Sequence, residues 1–188
     1  MKVVAGSVRG FHLVVPSGNN TRPTSNRIKE TLFNILQWDV PESRFLDLFS
    51  GSGGIAVEAL SRGATEAVLV EYDREALRCI RENLEHTGME HQSTVMAMDV
   101  MQALRRLDQI GKPFDIIFMD PPYRKKWEEK IIPYLLQSSL VQEDTLIIVE
   151  TSLDTDISYM QNYPCKIERI KEYKSNQHVF LRVVKNSR

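Results

Sequence analysis

Cysteine is scarce. Cys79 and Cys165 are the only two in 188 residues, and they show no metal-ligand spacing. Cys79 falls in a predicted helix, where it reads as a small buried apolar residue. The four histidines, His12, His86, His91 and His178, are scattered and give no zinc site. No apolar run is long enough to span a bilayer, and no basic-then-apolar leader opens the chain. The expected address is therefore cytoplasmic, with no membrane partner. Internal repeats and low-complexity segments are missing, which argues against solenoids and arrays.

A large net charge is absent too, the formal value being −1. Its distribution is uneven. Residues 1–30 hold Lys2, Arg9, Arg22, Arg27 and Lys29 against Glu30, a local +4, and the remainder carries −5. A basic segment on an acidic body places phosphate contacts at one end of a molecule. A solvated face with no partner accounts for the charge alone equally well. With 42% hydrophobic and 26% charged residues the composition is that of a soluble globular protein. The length fits one domain with a small appendage, enough to bury a core without metals or disulfides.

Along the chain, Lys2–Ala5 and Phe11–Val15 read as two extended stretches around a Gly6–Gly10 turn, a hairpin. Residues 16–23 form a polar loop. Thr24 or Ser25 caps a helix carrying Ile28, Leu32, Ile35 and Leu36, ending near Gln37. Strands are then expected at 45–48, 66–71, 94–98, 114–119 and 146–149. Helices are expected after the glycine turn through Arg62, from Asp73 to Gly88, over 100–110, and over 127–137 with an interruption at Pro133. Stretches 167–173 and 179–184, linked by Ser175-Asn176-Gln177, suggest a closing hairpin. Strands alternating with helices predict an α/β fold, a mostly parallel seven-stranded sheet covered on both faces with an antiparallel C-terminal edge. The expected division is an N-terminal hairpin and helix over 1–40 and a catalytic domain over 41–188.

The first strand runs into Asp47-Leu48-Phe49-Ser50-Gly51-Ser52-Gly53-Gly54. In a doubly wound sheet, ligands bind outside the carboxyl ends of the strands. This turn lacks the third glycine of the dinucleotide fingerprint and the lysine of a Walker loop, which argues against a triphosphate. Asp47 suits a cationic ligand group. Glu71 ends the second strand, where a carboxylate can accept from ribose hydroxyls; a solvated strand end is the plainer alternative. Asp99 follows the third strand, where an acid can accept from an adenine amine or simply cap the next helix. Jointly, the three acids specify an adenosine with a positively charged neighbour, as in S-adenosylmethionine. The expected cofactor-binding set is Asp47, Phe49, Ser50, Gly51, Gly53, Glu71, Tyr72, Asp99 and Asp120, with no metal.

Asp120-Pro121-Pro122-Tyr123 ends the fourth strand. The prolines restrict the turn and remove two backbone donors, leaving the Asp120 carboxylate and the Pro121 carbonyl as acceptors. Tyr123 adds a flat ring. The nitrogen of a nucleobase NH2 is a poor nucleophile, because its lone pair is delocalised into the ring. Acceptors on both N–H bonds free that lone pair and stabilise the positive charge that develops on methylation. Stacking on Tyr123 contributes about 1–3 kcal/mol per base. The expected catalytic residues are Asp120, Pro121, Pro122 and Tyr123.

This turn is the signature of amino-methyltransferases acting on adenine N6, cytosine N4 or guanine N2. The whole chain more closely resembles the bacterial 16S ribosomal RNA guanine-N2 methyltransferases of the RsmD type. The likeness rests on Gly6…Arg9-Gly10, Thr21-Arg22-Pro23-Thr24, the run Arg27 to Leu36, Asp47 to Gly53, Glu58 to Ala64, and Asp120 to Tyr123, and it weakens after Glu150. It implies methylation of one guanine in small-subunit RNA within a ribosomal particle. A chain this small has no large recognition domain, so nearby ribosomal proteins are expected to help form the substrate. It also implies that Arg22, Thr24, Tyr123 and Arg124 contact substrate. A DNA adenine-N6 or cytosine-N4 methyltransferase shares the chemistry and is the main alternative. A small-molecule methyltransferase and a non-enzymatic assembly factor are further ones.

Overall fold

The structure, a computed structural model, describes residues 1–17, 25–122 and 125–184. In chain order the elements are α1 (Asn26–Ile35), β1 (Arg44–Leu48), α2 (Gly54–Ser61), β2 (Glu66–Glu71), α3 (Arg74–Thr87), β3 (Ser93–Ala97), α4 (Val100–Ile110), β4 (Ile116–Met119), α5 (Trp127–Gln137), β5 (Leu146–Ser152), β6 (Cys165–Glu172) and β7 (Asn176–Val183). The seven strands make a mixed, mostly parallel sheet with an antiparallel edge hairpin, as the alternation of elements predicts. The chain divides into two compact units, Met1–Val100 and Met101–Arg188.

The first unit supplies strands in the order β3-β2-β1, parallel throughout. Phe45, Leu46, Asp47 and Leu48 of β1 are all buried, as are Ala67 to Val70 of β2. Strands covered on both faces need no alternation, which is why they read as short apolar runs. In α1, Ser25 Oγ caps by accepting from Ile28 N at 3.2 Å. Its buried Phe33 stacks on Phe45, ring centroids 6.5 Å apart. In α3, Asp73 accepts from Ala76 N at 2.9 Å, and Gly88 ends the helix in the left-handed region.

Every residue of α2 is buried, Glu58 included. Glu58 takes four donors: Val4 N at 2.8 Å, Ala5 N at 3.0 Å, Lys29 Nζ at 3.1 Å and Arg62 Nε at 2.8 Å. Lys29 Nζ also donates to Lys2 O at 2.7 Å. A carboxylate inside a helix core costs several kcal/mol unless it is paired this fully. Glu58 thereby fastens the N-terminal segment and α1 onto α2. That segment is the expected hairpin, with Lys2 bridging His12 antiparallel and Gly10 N donating to Val3 O at 2.9 Å. Gly6 sits at φ 87, and a Cβ there would lie 1.7 Å from Ser61 O, so only glycine lets the turn meet α2. Lys29 is 0% exposed. It therefore drops out of the basic N-terminal patch that the charge count assigns it to.

In the second unit the strand order is β4-β5-β7-β6, with β4 and β5 parallel and β7 antiparallel to both of its neighbours. Helix α5 continues through Pro133 without ending there. Asp108 of α4 holds the far end of α5, accepting from Ser139 N at 2.8 Å and Tyr134 OH at 3.2 Å. The closing hairpin is tighter than its sequence suggests. Asn176 and Gln177 belong to β7, not to the link, and Tyr173 N closes the turn onto Asn176 O at 2.8 Å. Both are buried because their amides have partners on β5: Asn176 donates to Glu150, and Gln177 to Ser152 O. Among the described residues no helix is long and apolar enough to cross a membrane.

Candidate active site

The glycine turn leaves the carboxyl end of β1 with three residues at positive φ: Phe49 at 62°, Gly51 at 55° and Gly53 at 77°. Phe49 holds a conformation that costs a non-glycine residue on the order of 1 kcal/mol or more. Three bonds fix the turn. Ser50 N donates to Val70 O at 3.0 Å, Ser50 Oγ to Asp47 O at 2.7 Å, and Gly53 N to Ser50 O at 2.8 Å. A Cβ at Gly53 would lie 3.1 Å from Leu69 and 3.3 Å from Ile80, so the turn is packed on that side. A Cβ at Gly51 would meet nothing within 4 Å. The open side of the turn is thus at Gly51, where bare backbone lets a ligand approach.

Asp47 lies under this turn and is 1% exposed. Its Oδ2 is buried without a hydrogen-bond partner among the described residues. Burial pushes the carboxyl up to about 8. The Ala56 backbone N–H opposes that rise, the Glu71 charge adds to it, and the Ser50 hydroxyl opposes it. A buried carboxyl with a vacant acceptor is a poor structural element and a good receptor for a cation.

Glu71 ends β2 as expected, but it has a second occupation. Its Oε2 accepts from Gly51 N at 2.9 Å, and its Oε1 from Tyr72 N at 2.8 Å and Asp73 N at 2.9 Å. Glu71 therefore ties the glycine turn to the start of α3. A carboxylate has about four acceptor sites, so one remains for a ligand hydroxyl. Tyr72 is 67% exposed beside it. Asp99 is half-buried immediately before α4.

Asp120 follows β4 directly, half-buried, with Pro121 buried and Pro122 exposed. Tyr123, Arg124, Arg22 and Thr24 lie outside the described residues. Lys125 and Lys126 are exposed before α5. Among the described residues no cluster of His, Cys, Asp or Glu could hold a metal ion.

Two site-supporting residues escape a local reading. Asn83 of α3 is 1% exposed. It donates to Ser52 O in the glycine turn at 2.9 Å and exchanges two 2.8 Å bonds with the Val14 backbone. Glu58 anchors the same N-terminal segment from α2. The local signal for each is a polar residue on the apolar stripe of a helix.

The fold is that of the Rossmann-like methyltransferases. The residues fit S-adenosylmethionine: the vacant Asp47 oxygen suits its ammonium, and the open face at Gly51 leaves room for its amino-acid end. The chain belongs to the family described as conserved hypothetical protein 95, whose profile matches residues 1–183, the RsmD family. Ribosomal RNA small subunit methyltransferase D of Escherichia coli strain K12 is 34% identical over 157 residues, 84% of this chain and 77% of that protein. The solved structure of a hypothetical protein from Thermus thermophilus matches with a TM-score of 0.83 at 33% identity, over 97% of this chain and 99% of its own. An RNA methyltransferase from Salinibacter ruber, solved with S-adenosyl-L-homocysteine, shares the fold. Its TM-score is 0.69 at 15% identity, over 89% of this chain and 97% of its own.

Proposed function

We propose that this protein methylates the exocyclic N2 amine of one guanine in 16S ribosomal RNA, using S-adenosylmethionine. The observation that carries the reading is the Asp120-Pro121-Pro122 turn at the carboxyl end of β4, in a chain several of whose relatives are named ribosomal RNA small subunit methyltransferase D. When bound, S-adenosylmethionine supplies an electrophilic methyl carbon on a sulfonium. Asp47 ionises to hold the amino-acid ammonium. Glu71 offers its remaining acceptor site to the ribose, Tyr72 lays its ring by the adenine, and Asp99 accepts from the adenine amine. The backbone of Phe49, Ser50, Gly51 and Gly53 gives the amino-acid end its close approach. Asp120 and the Pro121 carbonyl each accept one N–H of the guanine amine, turning its lone pair outward. Tyr123 stacks on the base, and Pro122 keeps the turn rigid.

A guanine in a folded particle reaches such a site only when looped out. Residues 1–40, with Arg9, Arg22, Thr24 and Arg27, face the RNA in this reading, and Arg124 flanks the target. Ribosomal proteins shape the presented loop, so a small-subunit particle outperforms naked RNA as substrate. In cells whose only copy carries Asp120→Ala, mass spectrometry of 16S RNA should find the target guanine unmethylated. Full methylation there would refute the assignment.

A further inference from the structure

A buried polar cluster in the second unit has no part in the chemistry above. Glu150, near the end of β5, and His178 of β7 face each other with Oε2 and Nε2 2.9 Å apart, and His178 is 0% exposed. Asn176 Nδ2 donates to Glu150 Oε1 at 2.6 Å. The Tyr173 hydroxyl stands 3.1 Å from His178 Nδ1. Burial, and after it the Glu150 charge, push the Tyr173 phenol up to about 12, so it remains a donor. Tyr173 donating to Nδ1 leaves the imidazole proton on Nε2, aimed at Glu150. That arrangement satisfies every member and fixes the orientation of the carboxylate.

The cluster lies beside the acceptor turn. Strands β4 and β5 run parallel with Met119 opposite Val149. Continuing that register one residue past β4 would set Asp120 beside Glu150, at a strand spacing of about 4.8 Å. Phe118 packs edge-on against the His178 ring at 5.9 Å, so the cluster lies on the face of the sheet that Phe118 presents, the face an extended Asp120 would share. The titratable groups around the pair are Asp120 beyond β4, Lys171 opposite His178 on β6, and Tyr173. The bond from Asn176 helps to seat β7 on β5, but hydrophobic residues often replace a buried ionic network without loss of stability, so stability alone does not call for the His178–Glu150 pair.

We propose that Glu150, aligned by His178 and Asn176, is a positioning residue for methyl transfer, its fixed negative charge disposing Asp120 to take up the proton the amine sheds. In that step the nitrogen–carbon bond forms, the carbon–sulfur bond breaks with its pair left on sulfur, and the nitrogen proton passes to Asp120. The inference rests on the assignment of Asp120 as the amine acceptor.

The test measures methyl transfer to small-subunit particles lacking the modification, at saturating cofactor, between pH 5 and 9. Removing a neighbouring negative charge eases ionisation of Asp120. Glu150→Gln should therefore move the acid limb of kcat to lower pH by about one unit and lower the plateau roughly tenfold. Cofactor Kd should stay unchanged. His178→Ala should lower kcat, and His178→Gln, whose amide can donate at the Nε2 position, should restore most of it. A Glu150→Gln profile that coincides with the native one per folded molecule would overturn the inference. So would a His178→Gln variant as impaired as His178→Ala, a comparison that still decides if Glu150→Gln fails to fold. An Asp120→Asn variant separates the two layers. If it turns over normally, the assignment of Asp120 falls and takes this inference with it. If it is inactive while Glu150→Gln behaves as native, only the role of Glu150 falls.

Discussion

Cofactor binding should expel a proton, and the donor should be Asp47. In the ligand-free chain its carboxyl is held at about 8, against an ordinary 3.8, chiefly by burial. At pH 7 about nine-tenths of the molecules therefore carry a proton on Asp47. Its Oδ2 has no hydrogen-bond partner among the described residues. An ammonium seated there reverses the balance and ionises the acid. Titration at pH 7 in two buffers of different ionisation enthalpy should show about 0.9 proton released per cofactor bound, falling to about 0.1 at pH 9. Over pH 6 to 7.5 the Kd should tighten about tenfold per unit. Asp47→Asn should abolish both effects and weaken binding. Fold stability moves the opposite way. A raised folded-state value makes the Asp47 contribution complete below 3.8 and progressively lost as pH rises through about 8, a span on the order of 5 kcal/mol. Cofactor-free Asp47→Asn should therefore gain thermal stability over the native chain as pH rises from 5 to 9. Tight binding at pH 7 with no proton released would refute this, since Asp47 would then be ionised beforehand or would not meet the cation.

Four further outcomes are expected. Lys29→Met leaves Glu58 buried with one donor fewer, a loss of about 3–5 kcal/mol, and differential scanning calorimetry should show Tm falling by about 10 °C. Adding Glu58→Gln should recover part of that loss. Glu71→Ala should raise cofactor Kd about tenfold or more, because the glycine turn loses its Gly51 anchor along with the ligand's acceptor. Tyr123→Ala should lower kcat with cofactor Kd unchanged; calorimetry beside steady-state kinetics distinguishes these patterns, and the reverse would refute the role assignment. RNA association should weaken steeply between about 50 and 200 mM salt, with a slope set by the phosphates neutralised, and filter binding reads it directly.

The sheet is legible in the sequence because its parallel strands are covered on both faces. Phe45–Leu48, Ala67–Val70 and Ile116–Met119 stand out as apolar runs between breakers. The acids are legible for a related reason: Glu71 and Asp120 close or follow such a run, and Asp47 is the one charged residue inside Phe45–Leu48. What local reading misplaces depends on distant partners. Asn176 and Gln177 look like turn residues, and they become strand because acceptors lie 26 and 25 positions earlier. Lys29 looks like a phosphate contact, and it is withdrawn from solvent by Glu58, 29 residues further on.

The comparison of Asp47 with Glu58 shows where such reading ends. Both are carboxylates set among apolar neighbours, and both are fully or almost fully buried, at 1% and 0% exposure. Glu58 collects four donors from residues 4, 5, 29 and 62, and its place in the molecule is accounted for by structure. Asp47 keeps one oxygen that no donor among the described residues reaches. Desolvating that oxygen costs free energy that folding alone does not offset. A chain that retains it needs a compensating gain elsewhere, and a bound cation would supply one. The donor count around a buried carboxylate thus separates the acid that holds the fold from the acid that waits for a ligand, and that count is set by tertiary contacts that no window of the sequence contains.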